Sequence, residues 1–167
     1  MRFSLLPFAV TDKLTDLTPA YLNEQGIRLL MLDFDNTIVP YTTSEPTAEM
    51  AVWLKEMTQS DIRLCVVSNS KKERVKLFCE KWQIPCITHA AKPFPKGISQ
   101  CLAKFNIPAQ ACALAGDQIF TDTLGANGCG VRPILVKAID NHNIWLKLRH
   151  IAEKPFIFMA RNRRLYK

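Results

Sequence analysis

Two aspartates one residue apart, Asp33 and Asp35, close the apolar run Leu29-Leu30-Met31-Leu32 and are followed by Asn36 and Thr37. A run of that length, bounded by Gly26 and Pro40, reads as a buried strand with the acids at its carboxyl end. Side chains on a strand alternate, so Asp33 and Asp35 share one side and Phe34 takes the other. Two carboxylates held together raise each other's pKa unless a proton or a cation intervenes. A hard divalent ion bound through oxygen is the simplest compensation, and Mg²⁺ takes one or two carboxylates while keeping positions for waters and a phosphate. The plainer reading is a strand that ends in two solvated acids at a turn. Asp-x-Asp-Asn-Thr also opens like a calcium loop, but such a loop needs glycine at its sixth position, where Ile38 stands, and it follows a helix rather than a strand.

The elements needed to position these acids recur along the chain. Thr18-Pro19 and Gly26 bracket a short helix over 19–25 that delivers the chain into the first strand. Helical spacing of apolar residues marks 47–59, 71–82 and 95–105, and a brief helix over 121–127 is closed by Gly128. Between them lie strand-like runs at 63–67, 85–89, 111–115 and 132–136. Alternation of this kind builds an α/β fold, a Rossmann-like parallel sheet of about five strands with helices on both faces. A further helix is expected over 143–152, ended by Pro155.

In an open parallel sheet, ligands sit beyond the carboxyl ends of the strands. The polar residues at those ends are Asp33 and Asp35, Ser68 and Asn69, Lys92 in the loop after the third run, and Asp117 with Asp122 five residues on. Singly, each is what a turn or helix cap would also show. In this order they are specific: acids for a metal, a hydroxyl and an amide for phosphate oxygens, and a lysine for the charge the acids repel. At this point the sequence resembles the haloacid dehalogenase (HAD) superfamily of phosphatases, whose four motifs match Asp33-Phe34-Asp35-Asn36-Thr37, Ser68-Asn69, Lys92-Pro93 and Gly116-Asp117 through Asp122. Asn36, Ser-Asn-Ser, Ala-Lys-Pro and Gly-Asp-Gln-Ile-Phe-Thr-Asp further resemble subclass IIIA, the branch holding bacterial YqeG-type proteins and mitochondrial phosphatidylglycerophosphate phosphatases.

The resemblance implies a HAD-like fold with Asp33 as nucleophile and Asp35 as the acid that protonates the leaving alcohol and then activates water. It implies Mg²⁺ held by the carboxylates of Asp33 and Asp117 and the main-chain carbonyl of Asp35, with Asp122 helping through water. Ser68 and Lys92 would hold phosphoryl oxygens, with Asn69 and Thr37 as further contacts. Spacing bears on access: Asp33 to Ser68 is 35 residues and Ser68 to Lys92 is 24, whereas a βαβ unit alone takes about 30. Neither gap holds a cap domain, so the site is expected to be open, a layout that in the superfamily goes with bulky substrates or with homo-oligomers whose neighbours close the site.

Composition is that of a single globular domain over 1–167, with 48% hydrophobic and 22% charged residues. No apolar run approaches a bilayer span and no cleavage pattern follows the apolar 3–10 stretch, so a cytoplasmic protein is expected. Six cysteines form no Cys-x-x-Cys pair and read as small buried hydrophobes. The charge of +7 is uneven: from Lys137 onward there are eight Lys or Arg against Asp140 and Glu153. This basic extension, 138–167, with Phe156, Ile157, Phe158 and Met159 beside its arginines, suits an anionic phospholipid at the inner membrane face, or simply packs on the sheet. Three functions stand open: a phosphatidylglycerophosphate phosphatase, a soluble sugar- or nucleotide-monophosphate phosphatase, and a nucleic-acid- or ribosome-binding protein. The last lacks a basic patch interleaved with stacking aromatics.

Overall fold

The computed structural model describes residues 4–71, 73–140, 155, 158 and 159. Its strands are β1 (Ala9–Thr11), β2 (Leu29–Leu32), β3 (Arg63–Val67), β4 (Cys86–Ile87), β5 (Cys112–Gly116) and β6 (Arg132–Val136), and its helices are α1 (Pro19–Glu24), α2 (Ala48–Gln59), α3 (Glu73–Lys81), α4 (Lys96–Phe105) and α5 (Leu124–Gly128). All strand pairs are parallel, in the order β1-β6-β5-β2-β3-β4. The helices start where the sequence offers caps: Thr18 Oγ1 accepts from the Tyr21 amide and Thr47 Oγ1 from the Met50 amide, each at 3.2 Å.

Strict alternation along the strands builds two cores. Leu30 and Leu32 of β2, with Leu64 and Val66 of β3, pack against Met50, Trp53, Leu54 and Met57 of α2 and Val75 and Phe78 of α3. Leu29, Met31, Cys65, Val67, Cys112 and Leu114 face the opposite way, onto Ile98 and Cys101 of α4 and Ala126 of α5. Helices therefore cover both faces, which is why the strands read as continuous apolar runs. All six cysteines are free, and Cys65, Cys79, Cys101 and Cys112 are buried.

The sheet has six strands where about five were expected. The additional one, β1, comes from the end of the N-terminal apolar stretch and pairs with β6, Ala9 opposite Ile134 and Thr11 opposite Val136. It covers the β6 edge, but three residues carry no readable alternation. The third expected strand, over 85–89, shrinks to Cys86–Ile87. The expected 143–152 helix lies outside the described residues. Among those that are described, no layer covers the carboxyl ends of the strands, and no helix is long and apolar enough to cross a membrane.

Candidate active site

Register decides which polar residues meet. Leu32 lies opposite Val66 on β3 and Ala115 on β5, and the amide of Asp33 donates to the Ala115 carbonyl at 2.9 Å. Asp33, Ser68 and Asp117 thus leave three neighbouring strands at one edge. Sequence order turns outward on both sides of β2, so that edge is also the switch point where an open α/β sheet has its crevice. A cavity of about 380 Å³ opens there, lined by Asp33, Asp35, Tyr41, Ser68, Asn69, Ser70, Lys92, Gln118 and Thr121. Asp33 and Asp35 share it as alternation requires, while Phe34 points into the core and meets Phe78 edge-on with ring centroids 5.1 Å apart.

The buried centre holds three acids and a lysine. Oxygens of Asp33, Asp117 and Asp122 lie within 4.8 Å of one another. Lys92 Nζ bridges Asp33 Oδ1 and Asp122 Oδ1, at 2.7 Å each, with only 1% of its side chain exposed. Asp122 is carried by a single π-helical turn, Ile119–Thr123, and its Oδ2 accepts from the Gln118 amide at 3.1 Å. The approach requires Gly116, since a Cβ there would stand 2.4 Å from Asp122 Cγ. Asn36, at φ +66°, donates to Asp117 Oδ2 at 3.4 Å and to the Asp140 carbonyl at 2.8 Å, tying the loop after β2 to the segment after β6.

These contacts set the electrostatics. Burial pushes the Asp33 carboxyl up to about 6; Lys92 opposes the rise and Asp122 adds to it. Burial alone would lower the Lys92 ammonium, but the Asp122 and Asp33 carboxylates outweigh it and hold it above its ordinary value. One lysine against three buried carboxylates leaves the cluster anionic when all are ionised. That donor set, entirely carboxylate oxygen and short of positive charge, fits a hard divalent cation.

Each residue marked in the sequence is accounted for. Asp33, Asp35, Ser68 and Lys92 line the cavity, and Asp117 and Asp122 stand behind it. Asp35 is set apart from the acid cluster, its carboxylate paired with Arg74. Asn69 reaches the cavity but spends both ends of its carboxamide on the Lys92 main chain, at 2.7 and 2.9 Å. Thr37 turns away to line a second cavity on the far side of the loop. Arg74 carries no mark in the sequence, since it sits in a helix rich in Lys and Glu. The one available signal is its place four residues before Phe78, on the buried edge of α3.

Over 131 residues, 78% of this chain and 76% of the other, the sequence is 34% identical to the probable phosphatase YqeG of Bacillus subtilis strain 168. The chain belongs to the YqeG-type phosphatases of the HAD superfamily. Residues 89–147 also match the HAD-hydrolase-like family model. The HAD fold extends to solved structures of low identity. One is the cobalt-bound deoxy-D-mannose-octulosonate 8-phosphate phosphatase of Haemophilus influenzae, with a TM-score of 0.55 at 13% identity over 75% of each chain. Another is a putative subfamily IIIA HAD hydrolase of Legionella pneumophila, with a TM-score of 0.53 at 10% identity over 83% of this chain and 92% of that one. HAD phosphatases generally use a divalent metal, in keeping with the oxygen donors gathered here.

Proposed function

We propose that this HAD phosphatase works through an aspartyl-phosphate on Asp33 and that its substrate is phosphatidylglycerophosphate. The observation that carries the mechanism is the buried cluster in which Lys92 holds Asp33 at the wall of an open cavity. An Asp33 oxygen attacks phosphorus, the bond to the leaving oxygen breaks, and Asp35 gives that oxygen its proton. Asp35 then takes a proton from water as the water oxygen attacks the same phosphorus, releasing inorganic phosphate and restoring Asp33. Splitting one displacement into two in this way is the gain from a covalent carboxylate. The Ser68 hydroxyl and the Lys92 ammonium hold the phosphoryl oxygens, and Asn69 fixes the main chain that carries Lys92.

Asp33 and Asp117, with the Asp35 carbonyl and with Asp122 behind them, would hold Mg²⁺, which when bound offsets the repulsion between an anionic nucleophile and an anionic phosphate. The lipid assignment draws on the family resemblance and on the absence, among the described residues, of any layer over the cavity. It draws also on residues 138–167 as a basic extension of one 1–167 domain, where Phe158 and Met159 are 72% and 64% exposed. Each Lys or Arg near an anionic surface contributes about 1 kcal/mol to attraction. The protein would then act in the cytoplasm, at the inner membrane face.

The test is Mg²⁺-dependent phosphate release from phosphatidylglycerophosphate in mixed micelles, beside soluble sugar and nucleotide monophosphates. Asp33→Asn serves as the blank and is expected to abolish turnover; robust residual activity would refute the nucleophile. Preference for a soluble ester would keep the mechanism and discard the lipid.

A further inference from the structure

Arg74 belongs to none of the four motifs, yet its guanidinium rests on the acid the proposed reaction needs. From the first turn of α3 it reaches back to the cavity wall. Nη2 pairs with Asp35 Oδ1, Nη1 donates to the Thr43 carbonyl at 2.6 Å, and the guanidinium carbon lies 5.2 Å from the centroid of the Phe34 ring. Phe34 is locked in turn against Phe78 of the same helix. One side chain thus fixes the acid, the residue before it and the loop that follows.

A pair made only for charge would need none of this. Arg74 and Asp35 expose 16% and 17% of their side chains, so water reaches the pair only in part. A planar guanidinium held at both terminal nitrogens with its carbon over a ring is restricted in rotation, and it passes that restriction to the carboxylate it holds. Arg74 engages Oδ1 and leaves Oδ2 to exchange a proton, while the carboxylate still lines the cavity with Asp33, Ser68 and Lys92.

We infer that Arg74 is a positioning residue that aims the Asp35 carboxyl at the leaving-group oxygen, by holding Oδ1 and bracing it on the Thr43 carbonyl and the Phe34 ring. The inference rests on the reading of Asp35 as acid and base. It separates from a role in loop anchoring because a misplaced acid harms only those reactions that need a proton on the leaving group.

The experiment compares kcat/KM on two esters. Short-chain phosphatidylglycerophosphate releases a primary alcohol and needs the proton; p-nitrophenyl phosphate releases a stable phenolate and does not. Because kcat/KM covers steps up to the first irreversible one, it isolates phosphoryl transfer to Asp33 from the later hydrolysis. General acid catalysis contributes about 10²–10⁴-fold, so Asp35→Asn should lose at least about 100-fold on the alkyl ester and less than about 5-fold on the aryl ester. Arg74→Gln should show the same selectivity at about 10–100-fold, as a misaimed acid retains part of its effect. Arg74→Lys keeps the charge without the fork, should fall between, and carries the test if Arg74→Gln does not fold.

If Asp35→Asn is selective while the Arg74 variants are fully active, or lose equally on both esters, the inference is overturned and the mechanism stands. If Asp35→Asn is itself unselective, the acid role fails and the inference with it.

Discussion

Asp33 and Asp35 are separated by one residue and line one cavity, yet each is held by a different cation in a different setting. Asp33 is 6% exposed and shares Lys92 with Asp122 in a cluster that remains short of positive charge. Asp35 stands at the cavity edge in a one-to-one pair with an arginine that is anchored elsewhere. The first arrangement concentrates negative charge where the proposed reaction would receive a cation and a phosphate; the second holds one carboxylate in place. A point charge suits the first task and a planar fork the second, which accounts for lysine in one place and arginine in the other.

The contrast can be broken most severely at Lys92. Removing one member of a buried ionic cluster typically costs about 3–5 kcal/mol, because the remaining charges lose compensation. Lys92→Met should lose that much in urea unfolding with EDTA present and regain a large part with saturating Mg²⁺. Equal losses with and without the ion would mean that the acids do not share a cation site.

Gly116→Ala tests the packing beneath the cluster. Its Cβ would overlap Asp122 Cγ and Oδ2, at 2.4 and 2.5 Å, and overpacking of this kind costs about 1–3 kcal/mol. Displacement of Asp122 should lower phosphatase activity by at least tenfold, about the rate equivalent of 1.4 kcal/mol. Wild-type activity in this variant would show that Asp122 tolerates displacement.

Acidity provides a third probe. Asp33 in the folded, metal-free protein has a pKa of about 6 against an ordinary value of 3.8, so the folded state binds this proton more tightly than the unfolded chain does. Its contribution to stability is therefore fully present below about pH 4 and is lost as pH rises through about 6, a change on the order of 3 kcal/mol. Urea unfolding in EDTA across that range should show the decline, and Mg²⁺ should flatten it by competing with the proton. A decline towards acid from this group, seen as the difference from Asp33→Asn, would contradict the burial argument.

The smallest effect on stability belongs to Arg74. Its pair with Asp35 is partly solvated, and such pairs fall near 1 kcal/mol or below, so Arg74→Gln should shift the unfolding midpoint only slightly while altering catalysis selectively. A loss as large as that of Lys92→Met would erase the distinction between the two carboxylates.

Much of the fold was legible because β2, β3, β5 and β6 are buried on both faces and announce themselves as apolar runs. The ends of those runs point to Asp33, Ser68 and Asp117. What stayed hidden was short or indirect. β1 has three residues and owes its strand conformation to the waiting edge of β6. The place of Asn69 after a strand suggests a phosphate contact, but which partner its carboxamide takes depends on a loop 23 residues away.

Apolar runs and the residue types at their ends are enough to call for a parallel sheet with acids, a hydroxyl and a lysine at its carboxyl edge. Apolar periodicity and the alternation of strand side chains are local properties of the chain. How the cations are shared, Lys92 with Asp33 and Asp122, Arg74 with Asp35, follows from the folded arrangement alone. Those choices depend on strand register, on the close approach allowed by Gly116, and on a helix that turns Arg74 back over Phe34. Pairing between charges is set by distance in space, and Lys92 meets Asp33 and Asp122, as Arg74 meets Asp35, only when the sheet has assembled.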